Sequence, residues 1–82
     1  MKIEVFGVGC AKCKRLEENV RRALKEAGVR ADIVKVSDLA EIAERGIMMT
    51  PALVVDDEEV AVGRVPDVQE IKKILASRGG ST

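Results

Sequence analysis

Residues 52–55 read Ala-Leu-Val-Val, an unbroken apolar run, and this run limits the fold of the 82-residue chain more than any other feature. A strand with one face in water alternates apolar and polar side chains, whereas a continuous run marks a strand covered on both faces. Covering two faces requires helices above and below one sheet, which is an α/β arrangement. The length lies near the lower limit for an independent domain, so a single core has to suffice. Apolar residues are 46% of the chain, enough for that core, but Phe6 is the only aromatic and the packing must be aliphatic.

Periodicity supplies the other elements. Residues 2–6 alternate, with Ile3 and Val5 on one face, and read as a strand; Gly7-Val8-Gly9 reads as a flexible turn. Over residues 11–27, Cys13, Leu16, Val20, Leu24 and Ala27 recur at three- and four-residue spacing as one helical stripe. Glu17/Arg21, Glu18/Arg22 and Arg22/Glu26 are placed to pair on the opposite side, and Gly28 suits the left-handed position past the helix end. Residues 31–36 read as a second strand. Ser37 and Asp38 can cap a short helix, with Glu41 completing a capping box, Leu39, Ile42 and Ala43 inward, and Gly46 ending it. Asp56-Asp57-Glu58-Glu59 reads as a charged turn into a strand at 60–62. Pro66 and Asp67 open a last helix with Val68, Ile71 and Leu75 inward and Lys72 and Lys73 outward. The expected order is β-α-β-α-β-β-α, a four-stranded mixed sheet with helices on both faces. It begins with a right-handed parallel crossover and ends with an antiparallel hairpin and a helix. One domain is expected over residues 1–77, with a disordered tail over 78–82.

Composition removes several functions. Lys plus Arg is 14 and Asp plus Glu is 14, so there is no basic field for nucleic acid, and aromatic stacking platforms are missing. The chain has no histidine, which excludes Cys-His dyads, Ser-His-Asp triads and Cys2His2 zinc sites. No apolar run is long enough to cross a membrane, and Met1-Lys2-Ile3-Glu4 reads as the start of a strand, not as a signal peptide, so a reducing cytoplasm is expected. Charged residues at 34%, with Asn19 and Gln69 the only amides, lean towards a thermophile.

Chemistry is concentrated in Cys10-Ala11-Lys12-Cys13, which holds both cysteines. A disulfide closing so small a loop removes little unfolded-state entropy, about 2 kcal/mol, so a structural crosslink explains it poorly. A pair this close can open and close without disturbing the fold, which is redox chemistry or metal capture. Cys10 falls at the N-cap of the first helix, where unpaired N–H groups and the helix dipole favour a thiolate, and Lys12 and Lys14 add positive charge. Cys13 falls on the inward stripe. The expected roles are therefore Cys10 as nucleophile and Cys13 as resolving thiol. Met48-Met49-Thr50-Pro51 is a second unusual element, since a proline at the head of a central strand removes a ladder donor. Either Pro51 simply starts the strand, or a cis Thr50-Pro51 bond makes a tight turn there.

A strand, a C-x-x-C opening a helix, and an apolar-Thr-Pro before a buried strand and hairpin together resemble the thioredoxin superfamily. The likeness is greatest to its small redox-active disulfide members of archaea and bacteria, and it covers roughly residues 1–76. The resemblance implies a thioredoxin-like fold and a protein-disulfide oxidoreductase needing no cofactor. It also implies that Pro51 is cis and packs beside the disulfide, with Lys12 and Thr50 supporting. Val8, Gly9, Ala11, Met49 and Thr50 would then contact an extended substrate strand. Partners implied are a disulfide-containing protein substrate and a thioredoxin reductase-like donor, with the chain itself a monomer. The chain departs from the family's pattern in several places. Val8 and Gly9 stand where thioredoxins proper carry an aromatic, and Ala11-Lys12 replaces Gly-Pro. The first strand lacks the buried acid that assists proton transfer; Glu4 is the nearest, and is expected on an exposed face.

Two other readings fit the cysteines. A heavy-metal-associated domain also opens a helix with C-x-x-C and could carry Cu(I) or zinc, but its order ends in a strand and its loop Met is here Val8. A non-catalytic thioredoxin-like adaptor would use the thiols as a switch. A phosphate-binding reading of Gly7-x-Gly9 fails because Lys12 occupies the third glycine position. Met48 and Met49 read as core filler, and the acids at 56–59 as a solvated turn, not a calcium site.

Overall fold

β3 (Ala52–Val55) is buried at all four positions, and the other elements are arranged around it. The computed structural model describes residues 1–7 and 11–77, so the tail expected at 78–82 lies outside the described residues. In chain order the remaining elements are β1 (Lys2–Phe6), α1 (Ala11–Ala27), β2 (Asp32–Val36), α2 (Leu39–Glu44), β4 (Glu58–Val62) and α3 (Val68–Ser77), with β3 between α2 and β4. The sheet order is β2-β1-β3-β4. β1 runs parallel to β2 and antiparallel to β3, and β3 and β4 form the antiparallel hairpin.

The pleat divides the core in two. Ile3 and Val5 of β1 and Leu53 and Val55 of β3 face α1 and α3, meeting Leu16, Val20, Ala23, Leu24, Ile71 and Leu75. Phe6, Ala52 and Val54 face the other way, towards Val36, Ile42 and Ile47. Hence α1 and α3 cover one face and α2 the other, as the apolar run requires. Across the first face, Asn19 Nδ2 donates to the Pro66 carbonyl at 3.0 Å and Lys72 pairs with Glu26 at 3.4 Å. The caps are side chains: Asp38 accepts from Ala40 N at 2.9 Å and Asp67 from Glu70 N at 2.8 Å.

Several details differ from the sequence pattern. Ala27 is exposed and Ala23 is buried in its stead. A 17-residue helix is about 25 Å long against roughly 17 Å for a five-residue strand, so the last turn of α1 overhangs the sheet. Arg22 turns forward to Glu26, at 2.8 Å, leaving the Glu18 pairing unmade. In α2 only Ile42 is buried, and Leu39 and Ala43 are exposed. A six-residue helix presents little more than one side chain to the sheet, and Ile47, beyond Gly46, fills the rest of that face. The hairpin turn is Asp56-Asp57 alone, with φ of 49° and 68°, so β4 begins at Glu58, two residues earlier than expected.

Glu4 is the largest departure. It is only 3% exposed, because it shares the α2 face of β1 with Phe6. Arg45, just past α2, donates to both of its oxygens, from Nη1 at 2.7 Å and Nη2 at 2.8 Å, and stacks 5.2 Å from the Phe6 ring centre. This bidentate contact holds the Glu4 carboxyl below the usual carboxylate range against the opposing effect of burial.

Arg45→Ala leaves the Glu4 carboxylate buried without its partner, a defect that costs about 3 kcal/mol. The wild-type pair contributes stability above the unfolded-chain value near 4.5, lost as pH falls through the lower folded value. In Arg45→Ala, protonation relieves the unpaired charge, so chemical denaturation is expected to show the deficit narrowing from pH 7 to pH 4. A deficit that widens would contradict this assignment. Asp57→Gly relieves a non-glycine residue at φ 68° and is expected to raise stability by about 0.5 kcal/mol. It forfeits only a 3.7 Å contact to Arg45 from a side chain that is 82% exposed.

Candidate active site

Four strand ends and one helix start meet at one end of the sheet. Phe6 pairs with Ala52, so Gly7 and Pro51 lie one residue further out on neighbouring strands. Gly7 N donates to the Val36 carbonyl at 2.9 Å, tying in β2, and Gly63 N donates to the Pro51 carbonyl at 2.8 Å, tying in β4. α1 begins at Ala11, so its first turn is Ala11-Lys12-Cys13-Lys14, with no acid in it.

Cys13 is buried, at 7% exposure, where the inward stripe predicts it. Its sulfur lies against the backbone at Gly7. A Cβ on Gly7 would overlap Cys13 Sγ and stand 3.0 Å from Cys13 Cβ. Gly7 is therefore a packing requirement where the sequence suggested only a flexible turn. The available signal was a glycine closing the strand six residues before Cys13.

The other expected site residues divide cleanly. Ala11 and Lys12 are exposed on the first turn of α1. Thr50 is exposed, Pro51 is buried, and the bond between them is cis. Met48 and Met49 are 89% and 60% exposed and so are not core filler. They follow Ile47, which takes the core position, and the chain carries them out to the end of the sheet. Met49 lies over Gly63, where a Cβ would come within 3.1 Å of Met49 Cε. Val8, Gly9 and Cys10 lie outside the described residues.

Cys13 and Gly7 together border a cavity of about 280 Å³ that is also lined by Val5, Lys14, Glu17, Lys35 and Ser37. Glu17 accepts from Arg21 at 2.9 Å through one oxygen and pairs with Lys35 at 3.1 Å through the other. These two contacts, Arg21 first, hold its carboxyl below the ordinary range. Glu4 does not reach this cavity, since it faces α2 from the opposite side of β1. The sequence pattern gave Glu17 only a pairing with Arg21 on the side of α1 away from Cys13, and it did not single out Lys35; both residues border the cavity with Cys13. Glu17 does stand one helical turn after Cys13, on the same side of α1.

A family model described as a thioredoxin domain matches residues 1–76. The chain belongs to the thioredoxin family. A thioredoxin of Methanothermobacter thermautotrophicus is 46% identical over 76 residues, covering 93% of this chain and 99% of its own length. A thioredoxin of Methanocaldococcus jannaschii is 48% identical over 75 residues, covering 92% and 86%. A probable thioredoxin of Archaeoglobus fulgidus is 34% identical, covering 87% and 80%. Thioredoxin-family membership carries thiol–disulfide oxidoreduction as the general chemistry. The element order also departs from the heavy-metal-associated one, because the last element among the described residues is the helix α3. No helix among them is long and apolar enough to cross a membrane.

Gly7→Ala is expected to cost about 1–3 kcal/mol in thermal unfolding of the reduced protein, the range for overpacking a tight contact. In a Cys13→Ala background the cost should shrink without vanishing, since the sulfur is gone but the 3.0 Å approach to Cβ persists. Equal costs in both backgrounds would show that Cys13 is not what Gly7 accommodates.

Proposed function

We propose that this thioredoxin-family chain reduces and oxidises protein disulfides through Cys10 and Cys13, with Cys10 as the nucleophile and Cys13 as the resolving thiol. The observation that carries this reading is the shelter of Cys13, pressed against Gly7 on the inward side of the first turn of α1. A thiol so placed meets a partner attached one turn away more readily than it meets a bulky substrate. Cys10 is the residue before the helix, at the end where backbone N–H groups and Lys12 and Lys14 favour a thiolate.

In the reducing direction the Cys10 thiolate attacks one substrate sulfur and the other leaves as a thiolate, which takes a proton from solvent. The Cys13 thiol then loses its proton and attacks Cys10 Sγ. A Cys10–Cys13 bond forms, the mixed disulfide breaks, and the second substrate sulfur departs and is protonated. Two electrons pass from the dithiol to the substrate, and the reverse sequence oxidises a dithiol. Val8, Gly9, Ala11, Met49 and Thr50 form the contact surface in this reading. The exposed Met49-Thr50 segment at the head of β3 offers backbone to an extended substrate strand, and Pro51 beneath it holds the segment in place. A thioredoxin reductase-like protein in the cytoplasm is the donor.

Cys10→Ser is expected to abolish reduction of a model protein disulfide such as insulin, and Cys13→Ser to accumulate a mixed disulfide visible by non-reducing electrophoresis and mass. Full exchange by Cys10→Ser would overturn the assignment of roles. Wild-type protein that forms one bond per molecule and never turns over with excess dithiol would instead be an adaptor.

A further inference from the structure

The buried clusters on the two faces of the sheet are built from Leu, Ile, Val, Ala and Phe6, and none of the chain's three methionines is among their buried members. Met48 and Met49 stand instead at 89% and 60% exposure, in the segment leading to the cis Thr50-Pro51 bond. Met49 has a defined seat there. Its Cβ, Sδ and Cε lie along the bare backbone of Gly63, at 3.3, 3.4 and 3.1 Å from the point a Cβ would occupy. The Gly63 N–H is the group that donates to the Pro51 carbonyl at 2.8 Å, so the thioether is held beside the segment offered to substrate. One side of Met49 therefore meets backbone and the other meets water.

We propose that Met49 is a reversible oxidation site, whose sulfoxide weakens docking of the disulfide-containing protein substrate while leaving the thiol pair able to react. The inference rests on Met49 belonging to the substrate-contact surface. The oxidant is a hydroperoxide. The sulfur's lone pair takes one peroxide oxygen, the O–O bond breaks, an S–O bond forms, and the second oxygen leaves as water or alcohol after proton transfer. The thioether loses two electrons and the peroxide gains them. A flexible apolar arm thereby becomes a polar one. The Gly63 N–H is already committed to Pro51, so the new oxygen turns outward, over the surface where an extended substrate strand lies. Covering that oxygen with substrate and giving it no donor weakens the complex. Met48 supplies the internal comparison, since it is more exposed but one residue further from Thr50.

The test begins with protein in the Cys10–Cys13 disulfide form, which shields both cysteines from further oxidation. It is treated with hydrogen peroxide, reduced with dithiothreitol and mapped by fragment mass. Met48 and Met49 are each expected to gain one oxygen before the half-buried Met1 does. The KM for insulin should then rise by about three- to tenfold, while exchange with dithiobis(nitrobenzoate), a small aryl disulfide, is unchanged. Each variant is compared with its own untreated form: Met48→Leu should keep the sensitivity to peroxide and Met49→Leu should lose it. Treatment with a methionine sulfoxide reductase should restore the KM, which it cannot do for over-oxidised cysteine. An unchanged insulin KM with Met49 oxidised, a loss that persists in Met49→Leu, or an equal loss towards the small disulfide overturns the inference and leaves the cysteine roles intact. Failure of untreated wild-type protein to turn over insulin overturns the proposed function and the inference together.

Discussion

The contact between Cys13 and Gly7 is the constraint on which the functional end of the molecule depends. Because residue 7 has no side chain, the first turn of α1 can settle directly onto the end of β1, with the sulfur occupying the space a Cβ would take. That approach buries the thiol and fixes the start of the helix against the sheet. It also leaves the rest of the strand end free to bond outward, to Val36 of β2. Pro51, one residue beyond the Phe6–Ala52 pair, then stands at the same end, tied in turn to Gly63 past β4. One missing side chain thus lets the helix N-terminus settle with Cys13 beside the four strand ends.

The two faces of the sheet solve different problems. Towards α1 and α3 the core is aliphatic throughout, assembled from Leu, Ile, Val and Ala with the lone aromatic elsewhere. Towards α2 there is only a six-residue helix, too short to be stable alone. The Arg45 guanidinium bridges that gap, bonding Glu4 on β1 and lying over Phe6. A buried ion pair is weak evidence for added stability, but its bidentate geometry holds the end of α2 in one place over the sheet. The segment that follows leads through Ile47 to Met48, Met49 and Thr50 at the candidate active site. The carboxylate of β1 therefore serves the architecture, and among the described residues the charged ones bordering the cavity beside Cys13 come from α1 and β2.

Element types and order were legible because each rested on a strong periodic or positional signal. The run at 52–55 demanded two covered faces and has them, and the 13/16/20/24 stripe faces the sheet as its spacing requires. The shelter of Cys13 was legible for the same reason. What escaped were features that depend on partners distant in sequence. Glu4 looked exposed because alternation assigned one face of β1 to water, and nothing near it in the chain announces Arg45, 41 residues away. Leu39 and Ala43 kept the helical spacing but had no sheet left to meet. Gly7 looked flexible because its role is a contact with a side chain on the next element. Lys35 and Glu17 looked like ordinary surface charges until β2 was laid beside α1.

The central claim is that Cys10 and Cys13 form and break one intramolecular bond. It is tested most directly by equilibrating the protein in dithiothreitol redox buffers, trapping thiols by alkylation and counting them by mass. The account requires a single transition from two labelled cysteines to none in monomeric protein, with the two-electron slope of about 30 mV per tenfold change in the ratio of oxidised to reduced protein. Protein that keeps both thiols under oxidising buffer, or that oxidises only by joining two chains, would contradict it.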